Sequence, residues 1–363
     1  MPKFGRSLSI RFKVAAAVVF LVLLFSTVVY LVSSQILLES YLRIEHDETV
    51  SNTLRVTDAL QNAVDHLSLN VTDWAWWDDT YQFIQDLNED YVTANLGPSS
   101  LSNLEINGMV FINQAGEIVY QILIDHETLD PLPSENLTAH LRAHPELYTH
   151  ASADSQVAGL IALPEGVALV ASQPILTSQW EGPIQGSLLF VKYLSDAEVS
   201  KLGSLTHLEV AMFPYDDPNL PNDVRQAKFQ ISDADAEVVQ PLSEDVVAGY
   251  ALVRDIYGQP ILLVRIETDR AVYQQGRETF NIFWLMMGAV APVFGILILF
   301  VLQKLVFFRL HRLDREVADI GSTRDAGRKV TEGIDDEFGE LEVALNGMLG
   351  EISEAQTQLK KAK

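Results

Sequence analysis

The spacing of apolar residues changes character several times along the chain. Residues 14–34 and 281–303 are uncharged and mostly apolar. At a rise of about 1.5 Å per residue, runs of about 20 residues cross a hydrocarbon core roughly 30 Å thick, so both are expected to be transmembrane helices. Beyond the first, Val50, Leu54, Thr57, Leu60, Val64, Leu67 and Val71 recur at steps of three and four. That is the period of an amphipathic helix, and it predicts that the first membrane helix continues outward as a stalk. Strand-like segments follow. Residues 108–122 read as two strands joined by a tight turn at Gly116, and further strands are expected at 167–170, 187–192, 208–213, 247–254 and 260–266. Residues 131–145 read as loop plus short helix, and a helix from Thr268 to Phe280 is expected to return the chain to the membrane.

Past the second run, Leu310, Leu313, Val317 and Ile320 keep steps of three and four. Gly321 to Gly333 interrupts them with Gly, Ser and Thr, and Phe338, Leu341, Leu345, Met348, Ile352, Ala355 and Leu359 then hold a strict heptad alternation. Such a seam favours a helical bundle. Two helices of one chain do not cover their own seam, so a homodimer of four parallel helices is expected, with a plain coiled-coil spacer as the alternative. Pro292, near the middle of the second run, removes a helical donor; it is a tolerated kink or a bend used in signalling.

Charge fixes the orientation. Lys3, Arg6, Arg11 and Lys13 precede the first run, and Lys304, Arg309, Arg312 and Arg315 follow the second, which puts both termini in the cytoplasm. The first run exceeds the roughly 7 to 15 apolar residues of a cleaved signal and lacks a small-x-small cleavage pattern, so it reads as an anchor. Residues 36–280 carry 37 acidic and 11 basic side chains, a net of −26 against −24 for the whole chain. The acidity therefore lies outside and argues against a nucleic-acid partner. With no cysteine, the outer domain relies on an ordinary apolar core.

The usual catalytic templates are missing: no glycine-rich phosphate loop, zinc-protease helix, nucleophile elbow, calcium loop, kinase histidine box or cyclase signature occurs. The chain is expected to be non-catalytic and to hold no cofactor. His140 and His144 stand four apart with His150 beyond. Pro145 ends their helix and no carboxylate or cysteine stands in register, so no metal site is assigned.

Helix, connector with apolar Val330, and the opening Asp336-Glu337-Phe338-Gly339-Glu340-Leu341 together resemble a HAMP relay domain, although the proline often found early in its first helix is missing. Residues 40–200, and above all Asp73-Trp74-Ala75-Trp76-Trp77-Asp78-Asp79-Thr80-Tyr81-Gln82-Phe83, resemble the fourth type of CHASE extracellular sensory domain. That family occurs in bacterial and archaeal histidine kinases and cyclic-dinucleotide enzymes. The resemblance implies an α+β, Cache/PAS-like extracytoplasmic sensor and supplies no defined set of binding residues.

The expected organisation is a cytoplasmic N-terminus at 1–13, transmembrane helices at 14–34 and 281–303, a sensor domain at 35–280, a HAMP domain at 304–357 and the start of a linker at 358–363. Trp74, Trp77, Asp78 and Tyr81, read as one helical face, form the candidate pocket for an unknown small-molecule ligand. Their aromatic faces and carboxylate suit a cationic or hydroxyl-bearing group. The competing reading is that these aromatics pack helix on sheet. The relay is assigned to Pro292, Leu310, Leu313, Val317, Ile320, Val330, Glu337, Phe338, Leu341, Leu345 and Met348. The heptads run to the end of the sequence with no stop signal, so an output domain, a histidine kinase or diguanylate cyclase, is expected beyond it. A chemoreceptor or a ligand-free membrane anchor is the alternative.

Overall fold

The computed structural model describes residues 9–232, 236–323, 328–331 and 336–361. Lys3, Arg6 and Gly333, and the side chain of Leu359, lie outside the described residues. The chain forms two compact units, one of Tyr41–Gln274 and one of Met1–Ser40 with Gln275–Lys363.

A 66-residue helix, α1 (Ile10–Ala75), contributes to both. In the larger unit its buried face is Thr49, Thr53, Val56, Leu60, Val64, Leu67 and Val71. The expected stripe of Val50, Leu54 and Thr57 is displaced at its N-terminal end: Leu54 is 41% exposed, while Thr49 and Thr53 are buried. Their hydroxyls donate to the carbonyls one turn back, Thr49 to Glu45 at 2.7 Å and Thr53 to Thr49 at 2.8 Å. The burial therefore leaves no hydroxyl unpaired. A two-residue turn at Trp76 and Trp77 separates α1 from α2 (Asp78–Asp86), and α3 (Glu89–Asn95) and α4 (Pro98–Asn103) follow. Asn88 caps α3 by accepting from the Asp90 amide at 2.8 Å.

The first sheet holds β1 (Gly108–Asn113), β2 (Ile118–Leu123), β3 (Val157–Leu163), β4 (Gly166–Pro174) and β5 (Gly186–Tyr193) in the order β2-β1-β5-β4-β3, all antiparallel. β1 is a continuous apolar run because both its faces are covered. Met109 and Phe111 join the cluster with Val64, Leu67, Val71 and Phe83, whereas Val110 and Ile112 join Leu137 and Leu141 of α5 (Glu135–Ala143). Gly186 is required where β5 meets β1, since a β-carbon there would lie 2.1 Å from the Ile112 carbonyl oxygen.

α6 (Asp196–Thr206) leads to a second sheet of β6 (Glu209–Pro214), β7 (Glu237–Pro241), β8 (Val246–Arg254) and β9 (Pro260–Asp269), in the order β6-β9-β8-β7. One face packs on Val224 and Ala227 of α7 (Asn222–Gln230), the other on Val56 of α1. The helix expected from Thr268 starts later. Thr268 and Asp269 remain in β9, paired with Val247 and Val246, and α8 (Ala271–Leu302) begins after Arg270. Strands β3 and β7 and helices α3, α4, α6 and α7 were not anticipated. They are short and lack a sustained period.

In the smaller unit α8 continues through one π-helical turn, Gln303–Phe307, into α9 (Phe308–Thr323), and α10 (Glu337–Lys361) lies beyond the connector. Windows of α1 and of Ala271–Ser322 are long and apolar enough to cross a membrane, with mean hydropathy 2.7 and 2.6, and are almost wholly unburied. Tyr30 packs edge-on to Trp284 at 4.6 Å between ring centroids. Pro292 sits inside α8 without ending it.

Candidate functional site

The aromatic block does not form one helical face. α1 ends at Ala75 and α2 starts at Asp78, so Trp77 occupies extended backbone between them, with φ −108° and ψ 133°. Trp74 stands edge-on to Trp77 at 6.0 Å and to Phe190 at 6.3 Å, and Trp77 approaches Tyr91 at 6.1 Å. Phe83 stacks on Tyr91 at 4.6 Å and meets Phe111 edge-on at 5.0 Å. Burial pushes the Tyr91 hydroxyl up to about 12, and that hydroxyl pairs with Thr80 at 2.7 Å.

The polar members of the block grip the loop between β4 and β5. Asp78 accepts from the Ser178 amide at 2.9 Å, and its own amide donates to the Ser178 hydroxyl at 3.3 Å. The Tyr81 hydroxyl donates to the Pro183 carbonyl at 3.3 Å and accepts from the Gln185 side chain at 3.1 Å. Gly182 makes room for it, because a β-carbon there would stand 3.0 Å from the Tyr81 oxygen. The loop carries Trp180, 68% exposed and with φ +61°, 5.5 Å from Trp76. The structure thus brings Trp74 and Trp77 together and sets Asp78 and Tyr81 on the loop. None of the four lines any of five clefts among the described residues whose volumes run from 420 to 660 Å³.

A cavity of 480 Å³ opens at one end of the first sheet, where the loop after β2, the β3–β4 turn and the start of α6 converge. Its floor is Asn107, 5% exposed and fixed on both ends of its amide. Nδ2 donates to the Ile124 carbonyl at 3.0 Å and faces His126 Nδ1 at 3.2 Å, while Oδ1 accepts from the Tyr193 amide at 2.9 Å. Glu165 accepts from the Tyr193 hydroxyl at 2.9 Å and from Asn136 at 2.8 Å. The backbone amides of Thr128 and Glu127 hold the Asp125 carboxyl below the usual range. Sequence reading missed this place because its residues come from segments up to 90 positions apart with no local motif (Asn107 to Ala197).

On the far face of the first sheet, His150 lies between Ser155 at 3.0 Å and Ser172 at 3.1 Å, and burial pushes its imidazole down to about 4. His140 and His144 stack at 4.6 Å, and Tyr257, from the β8–β9 turn, bonds His140 Nε2 at 3.0 Å. Among the described residues no group of three or more His, Asp or Glu side chains is placed to hold a metal ion.

Across the larger unit, Arg270 just after β9 reaches Glu45 of α1 through two bonds, Nε to Oε1 at 3.0 Å and Nη2 to Oε2 at 2.9 Å, with both side chains buried. In the smaller unit the seam residues divide. Leu313, Ile320 and Val330 are buried with Leu345 packed against them, whereas Leu310, Val317, Leu341, Met348 and Ile352 stay 39–59% exposed. Asn346 brackets the connector, accepting from the Val330 amide at 2.7 Å and donating to its carbonyl at 3.0 Å. Glu337 is exposed at the start of α10 and Phe338 is half-buried. Arg309 pairs with Asp336 in front of them.

Residues 59–212 match the CHASE4 domain model, which bears out the resemblance carried by the aromatic block. Over 301 residues the chain is 26% identical to the methanogenesis regulatory histidine kinase FilI of Methanothrix harundinacea, a match covering 83% of this chain and 33% of that protein. The chain therefore spans about a third of that relative's length. Among solved structures it is similar to the periplasmic domain of Vibrio cholerae LuxQ (11% identity, 61% of this chain and 98% of that one, TM-score 0.37). It is also similar to the periplasmic sensory domain of the Campylobacter jejuni chemoreceptor Tlp1 (12% identity, 62% and 95%, TM-score 0.35). The larger unit is thus a mixed helix-and-sheet domain that contains the whole of the CHASE4 match.

Proposed function

We propose that this chain, whose residues 59–212 match a CHASE4 domain, is the input half of a homodimeric transmembrane receptor. In this reading the apolar helical segments 14–34 and 281–303 cross the plasma membrane, both termini are cytoplasmic, and residues 35–280 form a Cache/PAS-like sensor outside. Residues 304–357 act as a HAMP relay to a cytoplasmic output. The likeness to a sensor histidine kinase favours a kinase output over a cyclase. The chain itself would carry no catalysis.

The observation that carries the relay is the divided seam. One half of the apolar ridge is used within the chain and the other half is solvent-facing, Leu310 and Val317 one heptad apart and Leu341 and Met348 one heptad apart, a pattern that costs solubility unless a second copy covers it. A ligand bound outside would favour one of two arrangements of the helices leading inward, and the bundle would pass that bias on. Trp74, Trp77, Asp78 and Tyr81 remain candidates for recognition or for holding the β4–β5 loop where a bound ligand would be felt. A Trp77→Ala variant that folds normally and still answers the signal would remove them from recognition.

The absence of cysteine makes the relay testable with single introduced thiols. Leu341→Cys and Met348→Cys should give disulfide-linked dimers in membranes on mild oxidation, and Glu340→Cys, off the seam, should not. Equal cross-linking at all three positions would refute the parallel bundle. Disulfides locking the two α8 helices together should shift output in the full receptor; unchanged output would sink the coupling.

A further inference from the structure

We propose that the tip of the β8–β9 hairpin is an acid-released clasp between the two sheets of the larger unit, closed while the His140–His144 pair is neutral and opened when both rings are charged. The clasp stands apart from the receptor reading. Its use in signalling rests on that reading, because β9 leads through Arg270 directly into α8.

The geometry of the tip is that of a hook on an edge. β3 is the outer strand of the first sheet, and the hairpin of the second sheet reaches across to it. The Ile256 amide donates to the Leu160 carbonyl at 3.0 Å, and Ile256 lies over Gly159, where a β-carbon would stand 3.2 Å from Ile256 Cβ. Ile256 and Tyr257 pack at the margin of the cluster that holds Leu137, Leu141 and Ile161. The Asp255 carboxylate shapes the tip by accepting from the amides of Tyr257 at 2.9 Å and Gln259 at 2.7 Å. Both residues that reach over are only half-buried and make a single backbone bond to β3, so releasing them costs far less than opening either sheet.

The fastening that acid changes is a stack of three rings. Tyr257 bonds His140 Nε2 at 3.0 Å through its hydroxyl, and its ring lies 4.4 Å from that of His144, which stacks on His140 at 4.6 Å. Two imidazolium rings at that separation repel. The surrounding charges relieve only one of them. Glu146 bonds His144 Nδ1 at 2.8 Å, whereas His140 is bonded to a hydroxyl and not to a carboxylate. On the hairpin Asp255 is occupied by the two amides, and Arg254 holds the Gly258 carbonyl at 3.0 Å. β3 brings no titratable side chain, and Arg142 of α5 is exposed. Burial, and then the neighbouring His144, hold His140 below the ordinary 6.5, with Asp255 and Glu146 opposing. Once released, the rings can turn apart and hydrate, and the proton is taken up. The clasp is therefore complete above about pH 6.5 and weakens as the pH falls.

Hydrogen exchange of the detergent-solubilised full chain tests this, with protection of residues 254–260 corrected for the intrinsic rate and compared at pH 7.5 and 5.0. Protection should fall several-fold in the parent chain, by at most about ten-fold per pH unit for each proton that docking excludes. In His140→Gln/His144→Gln, which keeps a side chain able to bond Tyr257, it should stay level. Should that variant be undocked at both values, His144→Phe, which keeps the stacked ring and removes one charge, should at least halve the fall. His150→Gln should leave the fall as it is. The chain has no cysteine, so Gly159→Cys/Ile256→Cys provides a reversible lock: oxidised it should stay protected at pH 5.0, and reduced with dithiothreitol it should lose protection. Three results would overturn the clasp: equal protection of the parent at both values, an undiminished fall in both histidine variants, or an undiminished fall in the oxidised pair. Exchange is read without any output, so a failed clasp leaves the relay standing, and failed seam cross-linking leaves the clasp.

Discussion

The two sheets of the larger unit are fastened to the same helix by different physics. Against the first sheet α1 presents Leu60, Val64, Leu67 and Val71, embedded in a broad cluster with Phe83, Phe111 and Phe190. Against the second it presents Thr49, Thr53 and Val56, with Gly249 of β8 directly beneath and the Glu45–Arg270 pair at the end. Hydrophobic attachment is graded and non-directional and tolerates small displacements. A close approach at glycine and a two-pronged ion pair are satisfied at one register only. The lesson is that the first sheet supplies adhesion and the second fixes where along the helix the sheet sits.

The largest effect should come from the adhesive region. Phe83 is 1% exposed and touches three other aromatic rings. Phe83→Ala should cost about 3–5 kcal/mol, read by denaturant unfolding of the solubilised chain, and Phe83→Leu less than half of that. A leucine variant as damaging as the alanine would mean that this region, too, depends on exact shape.

The ion pair should come next. Removing one partner strands the other in a buried setting, so Glu45→Gln should cost about 3 kcal/mol. Replacing both, Glu45→Leu with Arg270→Met, should recover most of that stability. If the double variant regained stability and the receptor also still responded normally, the pair would have no role in fixing register.

Third is the close approach. A β-carbon on Gly249 would fall 2.1 Å from Thr53 Oγ1 and 3.0 Å from Thr49 Cγ2. Gly249→Ala should cost about 1–3 kcal/mol, and Thr53→Ala in the same chain should return part of it, a coupling that a double-mutant cycle isolates. Additive effects would show that the helix simply shifts away, and the contrast between the sheets would weaken.

The same contrast explains what could be read from the sequence. The apolar half of the stalk, Leu60 to Val71, follows a regular period and was legible, as were the hairpin at Gly116 and the strands at 247–254 and 260–266. The register-setting half was misread because polar Thr49 and Thr53 break the pattern; their burial depends on a glycine about 200 residues away (Thr53 to Gly249). The aromatic block was legible as a family signature. Its geometry was not, since nothing local marks the two-residue break at Trp76 and Trp77, where the Ser178 loop fastens Asp78. The 480 Å³ cavity exists only once three distant segments meet, and no spacing rule could have found it.

The smallest effect concerns pH and separates the sheets once more. His150 belongs to the far face of the first sheet, and burial lowers its imidazole from the ordinary 6.5 to about 4. Unfolding lets it take up a proton throughout that interval, so its contribution to stability is complete above pH 6.5 and is lost as pH falls towards 4. His140, also lowered by burial and by its neighbour His144, acts in the same direction. Because the His150 ring is partly open to solvent, the uptake attributable to it should be less than one proton. Midpoints of denaturant unfolding measured from pH 7.5 to 4.5 should fall less steeply in His150→Gln than in the parent chain, while Glu45→Gln, at the second sheet, should leave the histidine-dependent slope above pH 5.5 unchanged. Equal slopes for His150→Gln and the parent would show that the imidazole is hydrated in the folded state, and the far face of the first sheet would then be less tightly closed than its contacts with Ser155 and Ser172 imply.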